Sequence, residues 1–268
     1  MISKEEFKNI KAVGFDLDGV IYFGDIPTDG AAESVRRIRD QGKKVFFITN
    51  NSAKSRSQIA HKLENMNIPC VIDDIITSGY AAAEYLMNEG GENKRIFVLG
   101  TNDLKMELKM TGLSIVDELP RDAILVGFDK SFNYDTVSVG LDAILSGAKF
   151  LVCNRVPNFP VEGGKIVPGL GAIVGALIGA SQREPDMVFG KPNVFMLELM
   201  IMKTGLAPSE VVYVSDSSED IVMADQFGSL SILLKEAAHR TSYSLNEHEN
   251  CHPKLILDAL IRLPNILQ

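Results

Sequence analysis

Seven short apolar runs, separated by amphipathic or polar stretches, constrain the fold of this chain more than any other feature. They lie at 11–17, 44–49, 96–99, 123–126, 150–153, 211–215 and 231–234. Such runs are continuous rather than alternating, which suits strands buried on both faces. The first two flank residues 30–41, where Ala31, Val35 and Ile38 share one stripe opposite charged residues and Gly42 stands as a stop. A second helical pattern follows at 55–67, with Ile59, Leu63 and Met66 on one face. Strands alternating with helices predict βαβ units and a mainly parallel sheet. Gly90-Gly91 and the polar stretch 181–185 bracket a middle segment with its own strand–helix alternation, which reads as an inserted second domain. No segment is low-complexity and no solenoid-length period repeats.

Composition limits what such an α/β chain can handle. Its 268 residues allow one large domain or two modest ones, and are enough to bury a core without staples. Hydrophobic content of 46% with 23% charged residues excludes a disordered protein. The three cysteines, Cys70, Cys153 and Cys251, are odd in number and far apart, which argues against a secreted disulfide scaffold. The polar N-terminus has no run of signal-peptide length, and the longest apolar stretch, 169–180, is too short to span a bilayer. A cytoplasmic protein without a membrane partner is expected. Lys+Arg 27 against Asp+Glu 35 gives a net charge of −8 and a pI near 5.1, which argues against nucleic acid as a partner. An anionic ligand would need a local cationic site.

Four short motifs sit where the apolar runs end. The first run closes on Asp16-Leu17-Asp18-Gly19, whose acids at i and i+2 of a strand would share a face. Strand ends are where open α/β sheets bind ligands. Two bare carboxylates about 4 Å apart repel by roughly 4 kcal/mol at an effective dielectric of 20. Either a cation sits between them or one acid is protonated, leaving one nucleophile and one proton donor. Thr49-Asn50-Asn51-Ser52 follows the second run, and a hydroxyl, amides and backbone N–H groups before a helix suit an anion, although simple N-capping accounts equally for these residue types. In Gly190-Lys191-Pro192, the lysine stands where the chain leaves a short strand and Pro192 suits the first turn of a helix. Asp216 follows the run 211–215, with Asp220 four residues on. Taken singly, the last three motifs read as caps or surface residues. Their order at successive strand ends is what points to a site. Asp16, Asp216 and a backbone carbonyl offer hard oxygen ligands that suit Mg²⁺ rather than zinc. His248-Glu249-Asn250-Cys251-His252 matches a zinc-protease string, but Pro253 directly after it and polar flanks deny it the helix that such a site requires.

FDLDGV, ITNN, GKP and VSDSSEDI, in this order, resemble the four motifs of the haloacid dehalogenase (HAD) superfamily of phosphotransferases. Asp16 and Thr49 are 33 residues apart, too few to hold a domain, whereas Thr49 and Lys191 are 142 apart, enough for one of about a hundred. This spacing is similar to that of the NagD-like, 4-nitrophenylphosphatase-like branch with its type C2 cap, as are VGFDKSFNYD at 126–135, CNRVPNFP at 153–160 and GKIVPGLGAIVGAL at 164–177. The resemblance implies a Rossmann-like, doubly wound parallel sheet core (the HAD fold) formed by 1–79 and 184–268, with a smaller α/β cap at 80–183. It implies a Mg²⁺-dependent phosphatase for small phosphomonoesters. Asp16 would be the nucleophile and Asp18 the general acid/base, with its backbone carbonyl joining Asp16 and Asp216 at the metal. Thr49 and the Asn50 backbone would hold the phosphoryl group, beside Asn51, Lys191 would neutralise charge, and Asp220 would support the metal-site acids from behind. A second acid at Asp18 favours a phosphatase over a dehalogenase. Two features depart from the family pattern: Ser215 replaces the usual glycine before Asp216, and Asp216 and Asp220 are one residue closer than this branch usually has them.

Cap residues would choose the substrate, and Asp129, Asn154, Arg155 and Glu162 are the candidates, Arg155 for a bidentate clamp on a second anionic group. Cap–cap homodimers fit this branch, though no residue argues for one. Two other functional classes compete: a non-catalytic phosphate sensor or partner-binding module on the same scaffold, and a receiver-type signalling domain, which is less than half this length.

Overall fold

The structure is a computed structural model and describes residues 4–118, 121–161, 165–235 and 251–268. In chain order its elements are β1 (Ala12–Asp16), β2 (Tyr22–Phe23), β3 (Ile26–Pro27), α1 (Ala31–Asp40), β4 (Lys44–Thr49), α2 (Arg56–Asn65), β5 (Ile75–Thr77), α3 (Ser78–Asn88), β6 (Arg95–Leu99), α4 (Asn102–Met110), β7 (Ser114–Ile115) and β8 (Ala123–Val126). There follow α5 (Tyr134–Leu145), β9 (Lys149–Val152), β10 (Asn158–Pro160), β11 (Ile166–Pro168), α6 (Leu170–Ser181), β12 (Met187–Val188), α7 (Phe195–Thr204), β13 (Val211–Ser215), α8 (Ser218–Phe227), β14 (Leu230–Leu234) and β15 (Leu255–Leu257). All seven predicted strands form, within one or two residues of their predicted ends. So do the two predicted helices, as α1 and α2.

The chain divides into two compact units. The first runs to Thr49, resumes at Ser57–Ile76 and returns from Lys191 onward; the second comprises Asn50–Arg56 and Thr77–Gly190. This second unit extends past both ends of the 80–183 expected from motif spacing, and takes in the loop after Thr49 as well.

The first unit carries a six-stranded sheet in the order β15-β14-β13-β1-β4-β5. β1 lies between β13 and β4, parallel to both, with Phe15 opposite Val214 and Asp16 opposite Ile48. Parallel pairing in this register brings the C-terminal ends of all three strands to one edge. Val13, Phe15, Val45, Phe47, Val212 and Val214 enter one apolar cluster with Ala31, Val35 and Ile38 of α1. Phe15 and Phe47 stack with ring centroids 6.3 Å apart. On β1's other face Gly14 leaves room for its neighbours, since a Cβ there would lie 3.0 Å from Tyr213 Cδ2. The absence of a side chain at mid-strand therefore has a packing cause.

The second unit has a five-stranded sheet in the order β12-β9-β8-β6-β7, with every neighbouring pair parallel. Its helices are capped from the sequence: Thr101 Oγ1 accepts from Leu104 N on α4, and Asn133 Oδ1 accepts from Asp135 N and Thr136 N on α5. Helix α5 packs on α6 where Gly140 lacks a side chain that would otherwise meet Leu177. Both units are thus α/β with parallel sheets, as the alternation of runs predicts. No helix among the described residues is long and apolar enough to cross a membrane.

Two local expectations are corrected. Pro192 is not in the first turn of a helix: α7 begins at Phe195, and Asn193 Oδ1 accepts from Phe195 N at its start. Nor do Thr49–Ser52 form a helix N-terminus, because six residues of loop separate Thr49 from α2. The reason is local. Asn51 Oδ1 accepts from Ala53 N and Lys54 N, closing an Asx turn that competes with helical bonding.

The 50–56 loop is fixed in the second unit by a buried ion pair. Arg56 Nε donates to Glu107 Oε1 at 2.6 Å, Arg56 N donates to Glu107 Oε2 at 2.8 Å, and the guanidinium lies 3.6 Å from the Tyr80 ring centroid. Glu107→Ala leaves this guanidinium buried without its carboxylate, and is expected to destabilise the second unit by about 3 kcal/mol. Arg56→Met combined with Glu107→Leu should recover most of the loss. Urea unfolding followed by a probe in this unit checks both, and a double variant as unstable as Glu107→Ala would contradict the assignment.

Candidate functional site

At the end of β1 the chain turns sharply. Leu17 O accepts from Ile21 N at 2.9 Å, and Gly19 N donates to Tyr22 O at 2.9 Å. Gly19 has φ +91°, and a Cβ on it would overlap the Asp216 carboxylate, so glycine is required twice over. Asp16 is the last strand residue; its Oδ1 accepts from Leu17 N at 2.8 Å and lies 2.8 Å from Lys191 Nζ. Asp18 falls beyond the strand, in an isolated bridge with Tyr22, and is exposed. The strand thus ends at Asp16, with Asp18 in the turn beyond it, and both acids act on the Tyr22 hydroxyl. One is held inside and the other faces solvent.

Lys191 is the centre of this arrangement. Its Nζ lies 2.8 Å from Asp16 Oδ1 and 2.5 Å from Asp220 Oδ2, and donates to Tyr213 OH at 3.2 Å. Asp220, in the first turn of α8, accepts on the same oxygen from Ser215 Oγ at 2.8 Å and Tyr213 OH at 3.3 Å. Burial works against the ammonium, but Asp16 and Asp220 hold it well above the ordinary lysine range. Asp16 is pushed up to about 8, chiefly by burial, with Lys191 opposing and Asp220 and Asp216 adding to the rise. Asp216 is pushed up to about 6, by burial and then Asp220, with Asp18 contributing. Tyr22 is raised as well, by burial and by the fields of Asp18 and Asp16.

These acids carry more negative charge than Lys191 offsets, and a cation among them would restore their ionised forms. That is the test the site passes for Mg²⁺. Asp16 and Asp216 are half-buried carboxylates at adjacent strand ends, and the Asp18–Gly19 backbone runs against Asp216. Among the described residues no group of three or more His, Cys, Asp or Glu side chains is set to hold a metal. Two carboxylates and a carbonyl are a different set, one that suits a hard ion keeping several waters.

The remaining predicted residues fall into two groups. Thr49 closes β4 in the first unit and is buried. In the second unit Asn50 and Asn154 meet, Asn154 Nδ2 donating to Asn50 O at 2.7 Å. Asn51 serves the Asx turn described above. Arg155 is exposed and pairs with Glu184 at 3.0 Å on the surface, and Asp129 Oδ1 accepts from Ser131 within its own turn. Glu162, His248 and Glu249 lie outside the described residues. Sequence reasoning missed Tyr213 and the role of Ser215. The available signal was their i, i+2 spacing on a strand leading to Asp216, together with the requirement that a buried phenol find a partner.

Residues 13–114 match the haloacid dehalogenase-like hydrolase family and residues 188–263 the HAD-hydrolase-like family. The chain is 32% identical over 258 residues to phosphoglycolate phosphatase 1A of Arabidopsis thaliana, covering 88% of this chain and 71% of that one. It is 30% identical to the 5'-nucleotidase YutF of Bacillus subtilis, covering 94% and 97%. Among solved structures, 4-nitrophenylphosphatase from Thermotoga maritima superposes with a TM-score of 0.89 at 27% identity, over 98% of this chain and 99% of that one. NagD from E. coli K-12 does so with a TM-score of 0.83 at 26% identity, over 94% and 97%. An α/β fold with acids and a lysine gathered at one strand edge defines a hydrolase of this kind. The chain belongs to the haloacid dehalogenase superfamily, in its NagD-like branch of phosphoric monoester hydrolases.

Within the site, Ser215 donates to a charged acceptor that is itself buried. Ser215→Ala is expected to cost about 1.5 kcal/mol of stability, the worth of a hydrogen bond to an ionised group. Urea unfolding measures it; a change below about 0.5 kcal/mol would show that the bond does not hold Asp220.

Proposed function

We propose that the protein is a Mg²⁺-dependent phosphatase that hydrolyses small phosphomonoesters through an aspartyl-phosphate on Asp16. The observation that carries this reading is the Lys191 ammonium, 2.8 Å from Asp16 Oδ1 and 2.5 Å from Asp220 Oδ2. A lysine held charged against the attacking carboxylate is suited to neutralising the phosphoryl group that arrives there. In the first displacement an Asp16 oxygen bonds to phosphorus, the ester P–O bond breaks, and Asp18 gives its proton to the departing oxygen. In the second, Asp18 takes a proton from water, whose oxygen attacks the same phosphorus and returns Asp16 as a carboxylate. The exposed position of Asp18 fits this exchange with leaving group and water. Thr49 and the Asn50 and Asn51 amides hold the phosphoryl oxygens. Asp16, Asp216 and the Asp18 carbonyl would hold Mg²⁺, which would supply positive charge to keep Asp16 ionised and to offset the negative charge of the phosphoryl group.

Residues 77–190 serve in this reading as the cap that selects the substrate. Relatives are named phosphoglycolate phosphatase, acid sugar phosphatase and 5'-nucleotidase, so the class we propose is the small soluble phosphomonoester. A cytoplasmic location fits the three unpaired thiols.

Phosphate release from a panel of sugar phosphates, nucleotides and short acid phosphates, with and without Mg²⁺, is the direct test. Activity should need Mg²⁺ and disappear with EDTA, and Asp16→Asn should fall by at least about a thousandfold. Undiminished turnover in that variant would remove the covalent step. Asp216→Asn should shift the Mg²⁺ titration to higher concentration, and an unmoved titration would take Asp216 out of the metal site.

A further inference from the structure

The seven residues Asn50–Arg56 belong by their packing to the second unit, although Thr49 before them and Ser57 after them belong to the first. Hydrogen bonds from the second unit hold this loop along its length. Ser78 Oγ and Asn154 Nδ2 both donate to Asn50 O, at 3.0 and 2.7 Å. Phe128 N donates to Ser52 Oγ and Thr101 Oγ1 donates to Ala53 O, at 3.0 and 2.9 Å. Glu107 holds Arg56.

Asn154 has a second connection. It follows Cys153 at the end of β9, where Gly190 N donates to Cys153 O at 2.7 Å. A Cβ on Gly190 would lie 2.5 Å from Asn50 Oδ1 and 2.7 Å from Asn154 Cβ. Gly190 is the residue before Lys191. Asn154, 4% exposed, thus meets the loop leaving Thr49 through its amide and packs its Cβ beside Gly190, and its Oδ1 is itself fixed by Val156 N at 3.1 Å.

We infer that Asn154 is a positioning residue for phosphate binding, and that it acts through the Asn50 carbonyl. A peptide group is planar, so fixing that C=O fixes the opposed N–H of Asn51, in the stretch that follows Thr49. Asn154 thereby orients the loop that follows Thr49 without touching substrate, a role different from the direct contact expected of it from sequence. This inference rests on the phosphatase reading for the purpose of the loop, but its test does not depend on turnover.

The experiment measures the dissociation constant of inorganic phosphate in the presence of Mg²⁺ by calorimetry, alongside KM and kcat for 4-nitrophenyl phosphate. Three variants are compared with the wild-type chain. Asn154→Ala should weaken phosphate binding about tenfold, in keeping with one lost hydrogen bond to a buried carbonyl, and raise KM in parallel. Asn154→Asp keeps the shape and the acceptor for Val156 N but loses the donor when ionised, so it should be impaired at least as much. Ser78→Ala, which leaves the stronger of the two donors in place, should weaken binding about threefold, and it answers the question if the Asn154 variants fail to fold. Phosphate binding within twofold of wild type in the folded variants, whatever their melting temperatures, would overturn the inference. A wild-type chain that binds phosphate yet hydrolyses nothing would remove the phosphatase reading and leave the positioning effect to be judged from the dissociation constants alone.

Discussion

A buried ammonium shared between two carboxylates is the constraint around which the site is organised. Lys191 loses its hydration where it stands, and only a close set of partners makes that tolerable. Asp16 and Asp220 supply the charge, while the Tyr213 and Ser215 hydroxyls occupy lone pairs that burial would otherwise leave empty. These partners come from β1, β13 and the first turn of α8, elements brought together only by the strand order β13-β1-β4. A different register on either side of β1 would strand a charge in the interior. The ion pairs therefore depend on the fold, and they also penalise its alternatives.

Ser215 shows how a departure from a motif is absorbed. A glycine there would leave Asp220 with Lys191 and a phenol at 3.3 Å, whereas the serine adds a donor at 2.8 Å. Asp216 lies in the link before α8 and Asp220 in the helix's first turn, so the two carboxylates diverge from a common stretch of backbone. Asp216 lies against the Gly19 turn, and Asp220 lies behind Lys191. The hydroxyl belongs to the last residue of β13 and reaches forward to the carboxylate in the first turn of α8.

Much of this was legible because buried parallel strands announce themselves. Runs such as 44–49, 123–126 and 211–215 are continuous in apolar residues, and their observed limits coincide with those read from sequence. The two-residue strands β2, β3, β7 and β12 carry no period at all, and α7, apolar on several sides, shows no stripe to read. Pro192 was misplaced because proline at a helix start and proline in the turn before one look alike in sequence, and Asn193 decides between them only through a bond formed in three dimensions. The same holds for Asn154. Its residue type advertises hydrogen bonding, but nothing local says whether an amide will meet a ligand or a backbone carbonyl more than a hundred residues away.

The net charge of −8 and an anionic substrate are reconciled by geometry rather than by composition. Long-range repulsion between exposed charges is screened within about 8 Å at physiological ionic strength, so the overall charge governs little at the site itself. What acts there is a field assembled over a few ångströms. Burial first, and then the neighbouring Asp220 and Asp216, push Asp16 up to about 8 against the opposing field of Lys191. The surplus of carboxylates is a reason for a cation to enter, and a cation there would hold Asp16 in the ionised form that the proposed mechanism needs. An acidic site is thus compatible with phosphate chemistry, because its acids would recruit positive charge to the place where Lys191 is already fixed beside them.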